Sequence, residues 1–317
     1  MTGKYEIKIS NNRVSFTLVL ERNITIIRGD SATGKTTFIG LLRDYEQLGK
    51  SSGVSVQSKK ICRVLTREDW QERIERIHDS IIFIDEGNDF VRSERFAEAA
   101  KNSNNYYVII TRENLYQLPY SVNSILKLKT TNRRKKTYIR SFPLYDRLNH
   151  PIEQINGSDL VITEDSNAGH ELFLSIAQNH NVACIPANGK SNVFTQIIDH
   201  IGKKILAIAD GAAFGAEVDK IYQLMEEHPN KVTLYLPESF EWLILKSGIL
   251  GAQTPVDILA DPSTYIDSSL YFSWEQYFTT LLIQITSNTV LHYNKRHLNP
   301  VYLQPANVAK FLEAMQD

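Results

Sequence analysis

The sequence predicts an α/β chain built from two parallel-sheet units, and three observations carry that prediction. Short apolar runs recur, and most end in polar or acidic residues: ITII before Arg28, SIIFI before Asp85, LVIT before Glu164, ILAI shortly before Asp210. Buried parallel strands read this way, as near-continuous apolar stretches rather than alternating ones. Segments with apolar residues at helical spacing follow several of them. The strand–helix alternation then restarts after YDRLNHPIEQINGSD, a stretch with Pro151, Gly157 and many polar residues that reads as a linker near residues 146 to 158. The expected division is therefore 1–148 and 149–317. A length of 317 residues suits two ordinary domains.

The bulk numbers exclude some classes. With 42% hydrophobic and 22% charged residues the chain can bury a substantial core. A formal net charge of -1 gives no chain-wide basic field, so any contact with nucleic acid has to come from a local patch. Cys62 and Cys184 are far apart and outside any metal-ligand spacing, and read as reduced thiols. MTGKYEIKIS has no apolar core of a signal peptide, and no run approaches membrane-spanning length. The expectation is a soluble, cytoplasmic protein with no membrane contact.

The elements of the first half follow in order. KYEIKIS and VSFTLVL are two alternating strands, the antiparallel start of the sheet. NITIIRG is the next strand, and RGDSATGKTTFI after it meets the pattern G-x-x-x-x-G-K-[ST] with Gly29, Gly34, Lys35 and Thr36. In a P-loop of this pattern the residues between, Asp30, Ser31, Ala32 and Thr33, wrap backbone N–H groups around phosphate oxygens, and Thr37 continues the cradle. Lys35 neutralises the outer phosphates and the Thr36 hydroxyl ligates Mg²⁺. A helix has to follow, because its N-terminal N–H groups and dipole favour the anion. Phe38, Leu41, Leu42, Tyr45 and Leu48 supply it, and Gly49 stops it. SIIFIDEGNDF places Asp85 at a strand end to hold Mg²⁺ through water and Glu86 beside it to orient or deprotonate the attacking water. NYYVIITREN ends in Thr111-Arg112, where Thr111 either senses the outermost phosphate or simply caps the strand. SILKLKT and KTYIRSFPLY flank TNRRKK, a hairpin with a basic tip from Arg133 to Lys136 that suits either phosphate or plain solvent. The two opening strands resemble the start of ABC-type and SMC-type ATPase heads. No LSGGQ-like signature lies in the roughly 48 residues between Thr36 and Asp85, so the first half reads as a minimal P-loop core.

The second half carries four strand–helix pairs: DLVITED with AGHELFLSIAQNH, VACIPAN with SNVFTQIIDHIG, KILAIAD with GAEVDKIYQLMEEH, and KVTLYLPES with FEWLILKSG. That count predicts a parallel sheet whose working residues gather at the strands' carboxyl ends. Those ends are Glu164-Asp165, Asn188-Gly189-Lys190, Asp210, and Glu238 with Glu241. Acids at adjacent strand ends repel one another unless a divalent cation sits between them, although each alone could cap a helix. The last fifty residues read as a long helix, an extended bend and a short helix opened by Pro305. Within the bend, HYNKRH offers Lys295 and Arg296 as cations for a phosphate, or as solvated surface.

The order of a glutamate, a glycine-lysine loop and an aspartate motif resembles a Toprim domain. An ATPase followed by Toprim resembles the OLD-family nucleases, many of which serve bacterial defence against phage. The resemblance implies Glu164 and Asp210 as catalytic metal ligands, ANGKSNV with Gly189, Lys190 and Asn192 as the second motif, and DGAAFG with Asp210 and Gly215 as the third. The second aspartate of the family's D-x-D is Ala212 here, and Glu217, Asp219, Glu238 or Glu241 would have to replace it. The implied function is binding and hydrolysis of ATP with Mg²⁺, in an oligomer whose Toprim-like domain engages DNA or RNA and cuts it under ATP control. The alternative is an ATP-switched interaction protein whose second domain binds a partner effector protein without cutting.

Overall fold

The computed structural model describes residues 1–29, 33–133, 136–145 and 155–316. Asp30, Ser31, Ala32, Arg134, Lys135 and most of the expected linker lie outside the described residues. The chain divides into two compact units, Met1–Tyr145 with Asp261–Phe272, and Asp146–Ala260 with Ser273–Asp317. The first unit thus includes a short returning segment that the division at 148/149 does not include.

The first unit begins with β1 (Tyr5–Ser10), β2 (Val14–Leu20) and β3 (Ile24–Arg28), followed by α1 (Lys35–Leu48). Next come β4 (Ser55–Gln57), β5 (Ile61–Leu65), α2 (Trp70–Arg76), β6 (Ser80–Ile84), α3 (Glu94–Lys101) and β7 (Tyr106–Ile110). The hairpin β8 (Ile125–Arg133) and β9 (Lys136–Pro143) closes it. All nine strands form one sheet in the order β4-β1-β2-β9-β8-β3-β7-β6-β5. From β8 to β5 every neighbouring pair is parallel, while β1 with β2, β1 with β4, and β8 with β9 are antiparallel.

Amphipathic patterning explains this layout. β3, β6 and β7 are buried along their whole length, whereas β1 alternates buried and exposed residues. A strand covered on both faces needs apolar residues throughout, and a strand covered on one face needs them at every second position. α1 packs its Phe38, Ile39, Leu41 and Leu42 side into a core with Ile7, Ile9 and Phe16 on one side and Phe83 and Val108 on the other. Phe38 is the hinge of that core, with ring centroids 5.1 Å from Phe16 and 5.5 Å from Phe83. On the opposite face Trp70, Phe90 and Phe96 stack against one another, and Phe96 meets Tyr107 edge-on at 5.7 Å. The returning segment carries no long apolar run, although its Ile266 and Phe272 are buried, and polar contacts add to its attachment. Ser263 and Met1 exchange backbone bonds with Gly3 and Ser268, and Asp267 accepts from the Met1 ammonium at 3.0 Å.

The second unit alternates β10 (Leu160–Thr163), α4 (Ala168–Asn179), β11 (Ala183–Pro186), α5 (Lys190–Asp199), β12 (Ile205–Ile208), α6 (Val218–Glu227), β13 (Val232–Tyr235) and α7 (Phe240–Lys246). The short α8 (Val256–Ala260) follows; α9 (Pro262–Tyr265) belongs to the returning segment. The chain ends with α10 (Trp274–Thr286) and α11 (Pro305–Ala314). The four strands are parallel in the order β11-β10-β12-β13. Phe173, Phe240, Tyr293 and Phe311 form a cluster that fastens α4, α7, the bend after α10 and α11. The sequence expectation of an α/β chain with a mixed, mostly parallel first sheet, a parallel second sheet and closing helices holds at this level. Among the described residues no helix is long and apolar enough to cross a membrane.

Candidate functional sites

In the first unit, the loop after β3 leads straight into α1. Gly29 has φ 138° and Gly34 has φ 91°, both in the region that a side chain disfavours. At Gly29 an added Cβ would meet nothing within 4 Å, so the backbone angle alone asks for glycine. At Gly34 it would also press Ile139 Cδ1 at 3.0 Å, so glycine there serves both angle and packing. Phe38 N donates to Gly34 O at 2.9 Å and closes the first turn of α1. Lys35 is buried, and its Nζ donates to the Gly29 carbonyl at 2.6 Å and to Thr33 Oγ1 at 3.4 Å, drawing the lysine across the loop. Thr36 and Thr37 are exposed at the helix N-terminus. Buried Arg28 anchors the loop's entrance by donating to Asn114 Oδ1, and to the Glu113 carbonyl and Tyr120 hydroxyl at 3.3 Å.

The sheet order sets what flanks that loop. β7 lies between β3 and β6, so Thr111 is one strand from the loop strand and Asp85-Glu86 are two strands away, about 5 and 10 Å at ordinary strand spacing. Thr111 N donates to Ile27 O at 3.3 Å, and its buried hydroxyl accepts from Glu113 N at 3.0 Å. The threonine therefore caps its strand, as one of its two readings has it. Asp85 is half-buried. One of its oxygens accepts from Glu86 N at 2.9 Å, and the other lies 3.7 Å from Arg43 on α1. Glu86 is exposed and pairs with Arg112 Nε at 2.9 Å. The structure thus gathers Gly29, Thr33, Gly34, Lys35, Thr36, Thr111, Asp85 and Glu86 at the carboxyl ends of three neighbouring parallel strands, β3, β7 and β6.

In the second unit the parallel pairing of β10 with β12 puts Thr163 beside Ile208, which brings Glu164 and Asp210 together just beyond the strand ends. Asp210 N donates to Glu164 Oε2 at 3.0 Å, and Phe240 N at the start of α7 donates to Asp210 Oδ1 at 2.9 Å. Asp210 thus caps α7, a helix remote in sequence, rather than the helix that follows it. Glu241 is buried, and its Oε1 accepts from the Tyr293 hydroxyl at 2.9 Å. Glu241 Oε2 is buried with no hydrogen-bond partner among the described residues. Lys295 donates to Glu275 Oε1 at 2.8 Å. Glu164, Asp210, Glu241, Tyr293 and Lys295 line one cavity of about 40 Å³ together with Asp165 and His170. That volume suits a few waters or one hydrated ion, and no organic ligand.

Electrostatics in this cavity is under tension. Burial pushes Glu164 up to about 7, partly opposed by the Asp210 N–H. Burial also raises Asp210 well above the usual carboxylate range, and Glu275, Glu164 and Glu241 add to it. Glu241 is raised by burial against the pull of Lys295. For Lys295, burial works downward but Glu275 and Glu241 outweigh it, so the ammonium is held charged. The carboxylates thus outnumber the two ammoniums that act on them, Lys295 and, for Glu164, Lys190, and protons or a cation must balance the rest.

The fit of a metal is decided by these groups. Among the described residues no three His, Cys, Asp or Glu side chains converge closely enough to hold an ion directly. Mg²⁺ commonly keeps several waters and uses one or two carboxylates. Glu164 and Asp210 with the orphaned Glu241 oxygen fit that hydrated mode, but not a pair of ions. Ala212 is buried, its N–H bonds to Glu238 O, and it does not line the cavity. Of the four acids considered as its replacement, Glu241 is the one that lines the cavity. Lys190 donates to the Ala213 carbonyl at 3.1 Å and ties the glycine-lysine loop to the DGAA loop. Tyr293 and Glu275 were not anticipated from sequence. Their signal is weak, because each is an ordinary residue of a helical or loop segment far along the chain. The two cysteines are free, as expected.

No family model, curated protein or solved structure matches the chain.

Proposed function

We propose that the first unit binds ATP with Mg²⁺ and hydrolyses it slowly, and that the second unit is a Toprim-like module acting on nucleic-acid phosphodiesters under ATP control. The observation that carries the first part is the convergence of Gly29, Gly34, Lys35 and Thr36 with Thr111 and Asp85-Glu86 at the carboxyl ends of the neighbouring parallel strands β3, β7 and β6. The loop and the N-terminus of α1 offer backbone N–H groups to the phosphates, and Lys35 would leave the Gly29 carbonyl to neutralise them. Thr36 and Asp85 would hold the Mg²⁺, which supplies charge neutralisation at the leaving phosphate. Glu86 would orient the water once its pairing with Arg112 opens.

In the second unit Glu164 and Asp210 would hold a hydrated Mg²⁺, which supplies an activated water or hydroxide. Glu241 keeps a carboxylate near them through its bond to Tyr293, and Lys295 brings a fixed positive charge to the same cavity. A second reading has a specific observation behind it. Ala212 is packed into the interior, where the family's second aspartate would stand. On that reading the second unit binds a partner effector protein and cuts nothing.

A cleavage assay separates the two. Protein is mixed with supercoiled plasmid, single-stranded DNA and RNA in Mg²⁺ or Mn²⁺, with and without ATP, beside Lys35→Ala and Glu164→Ala. Cutting that Glu164→Ala abolishes supports the nuclease. ATP hydrolysis that Lys35→Ala abolishes, without cutting, supports the interaction module. Loss of neither activity in the variants overturns the whole reading.

A further inference from the structure

The strands β4, β1, β2, β9 and β8 bury one face against α1, and their other face is uneven in charge. Register fixes which residues share that outer face. Lys8 lies beside Thr17, Thr17 beside Arg140, Arg140 opposite Lys129, and Tyr138 opposite Thr131. Lys136 and Phe142 fall on the same face by the two-residue alternation of β9. Lys8, Lys129 and Arg140 are exposed, Phe142 is 39% exposed, and Tyr138 and Lys136 are half-buried. Glu6 is the one acidic residue that these strands contribute to the face among the described residues.

Two features of this surface are costly for folding alone. Lys129 and Arg140 stand directly opposite each other in an antiparallel pair, where like charges destabilise. Phe142, a large apolar ring, is 39% exposed, and the cation–π contact with the Lys129 ammonium 5.3 Å from its centroid offsets only part of that exposure. An occupant that brings both negative charge and flat rings would relieve both. Tyr138 and Phe142 stand about 13 Å apart along β9 at the usual rise, with Arg140 midway.

We propose that this sheet face binds single-stranded nucleic acid. Phosphates meet Lys8, Lys129, Lys136 and Arg140, and unpaired bases stack on Phe142 and Tyr138. A duplex hides its base faces, so rings on a flat sheet favour single strands over double. The surface belongs to the first unit, and the proposal does not rest on a metal in the second unit's cavity.

Fluorescence anisotropy with a labelled single-stranded DNA, the same sequence as RNA, and the corresponding duplex tests this on the full chain in EDTA. The expected result is salt-dependent binding of the single strands. Lys129→Ala with Arg140→Ala should weaken it about tenfold or more and flatten the log–log salt slope by roughly 1.4. Phe142→Ala should weaken it about fivefold or more at nearly unchanged slope. Lys50→Ala, which removes an exposed cation just after α1, should bind like wild type and separates this face from a general effect of charge. Binding by the double variant equal to wild type overturns the proposal. So does equal affinity for the duplex with no effect of Phe142→Ala, which would leave an unspecific polyanion patch. Circular dichroism of the variants guards against loss of fold.

Discussion

The glycine-rich loop of the first unit and the carboxylate cavity of the second are built on opposite plans. The loop is set by the angles of Gly29 and Gly34 and by the N-terminus of α1, all within eight consecutive residues. Its acids, Asp85 and Glu86, are both partly solvated. The cavity is made of side chains from β-strand ends, α7 and the bend after α10, spread over more than a hundred residues, and its acids, Glu241 buried and Glu164 and Asp210 half-buried, stand close together. A site of backbone dipoles can wait for an anion at little cost. A site of buried like charges is under strain until protons or a cation arrive. The loop should therefore fail by losing function while stability holds, and the cavity should show itself first in stability.

The largest effect expected from this contrast is on the loop. Lys35→Ala should lower ATP turnover by about a hundredfold or more, the scale of losing a preorganised charge at developing negative charge. Its unfolding midpoint should move much less than its turnover, because the bonds to the Gly29 carbonyl and the Thr33 hydroxyl stay within the loop. Steady-state hydrolysis alongside urea melts checks both halves. A large loss of stability would make Lys35 a structural strut and weaken the comparison.

The cavity should answer to pH. The carboxyl of Glu164 is raised from its ordinary value to about 7 by burial, so the folded state holds that proton more tightly than the unfolded chain. Its contribution is neutral below the unfolded value and becomes a penalty as pH rises through the folded one. In EDTA, stability should fall between about pH 4.5 and 7 by up to about 3 kcal/mol from this group, before discounting for solvent. Glu164→Gln should flatten that fall. Adding Mg²⁺ at pH 8 should raise the melting temperature of wild type more than that of Glu164→Gln. A flat profile with wild-type protein would mean that the cavity acids are not strained.

The same contrast explains how much could be read from the chain. The loop, the strand ending in Asp85-Glu86 and the strand ending in Thr111 were legible because each is local, an apolar run followed by polar residues. β5 was not, since Ile61 is exposed and Arg63 interrupts the apolar pattern. The returning segment was not, because it has no apolar run to read, only isolated buried side chains such as Ile266 and Phe272 beside backbone bonds to Met1 and Gly3. In the second unit, strand order put Glu164 next to Asp210 as expected of adjacent strand ends. Which of four acids would join them could not be read, since that depends on where α7 begins and on Tyr293 reaching Glu241 across 52 residues. For Lys295 the spacing of HYNKRH was silent on whether the ammonium faces solvent or Glu275.

Backbone geometry gives a smaller test. Gly34→Ala should cost about 1–2 kcal/mol, from a left-handed angle and a contact with Ile139 that must give way. Gly29→Ala, with an open surround, should cost about 1 kcal/mol, from its positive angle alone. Denaturant midpoints measure the difference. Equal costs would mean that Ile139 yields freely and that packing adds nothing to the glycine requirement.

The smallest effect is the most informative about the loop's resting state. Glu86 and Arg112 form an exposed pair, and such pairs contribute about 0–1 kcal/mol. Arg112→Ala should therefore leave stability nearly unchanged. If the pair restrains Glu86, removing it should raise ATP turnover by about two- to fivefold, the rate equivalent of that energy. Added salt should raise wild-type turnover in the same direction and leave Arg112→Ala unmoved, because screening and deletion weaken the same contact. A fall in turnover would assign Arg112 to the phosphates instead. The loop would then use a side-chain cation from β7's end, and its plan would be closer to that of the cavity.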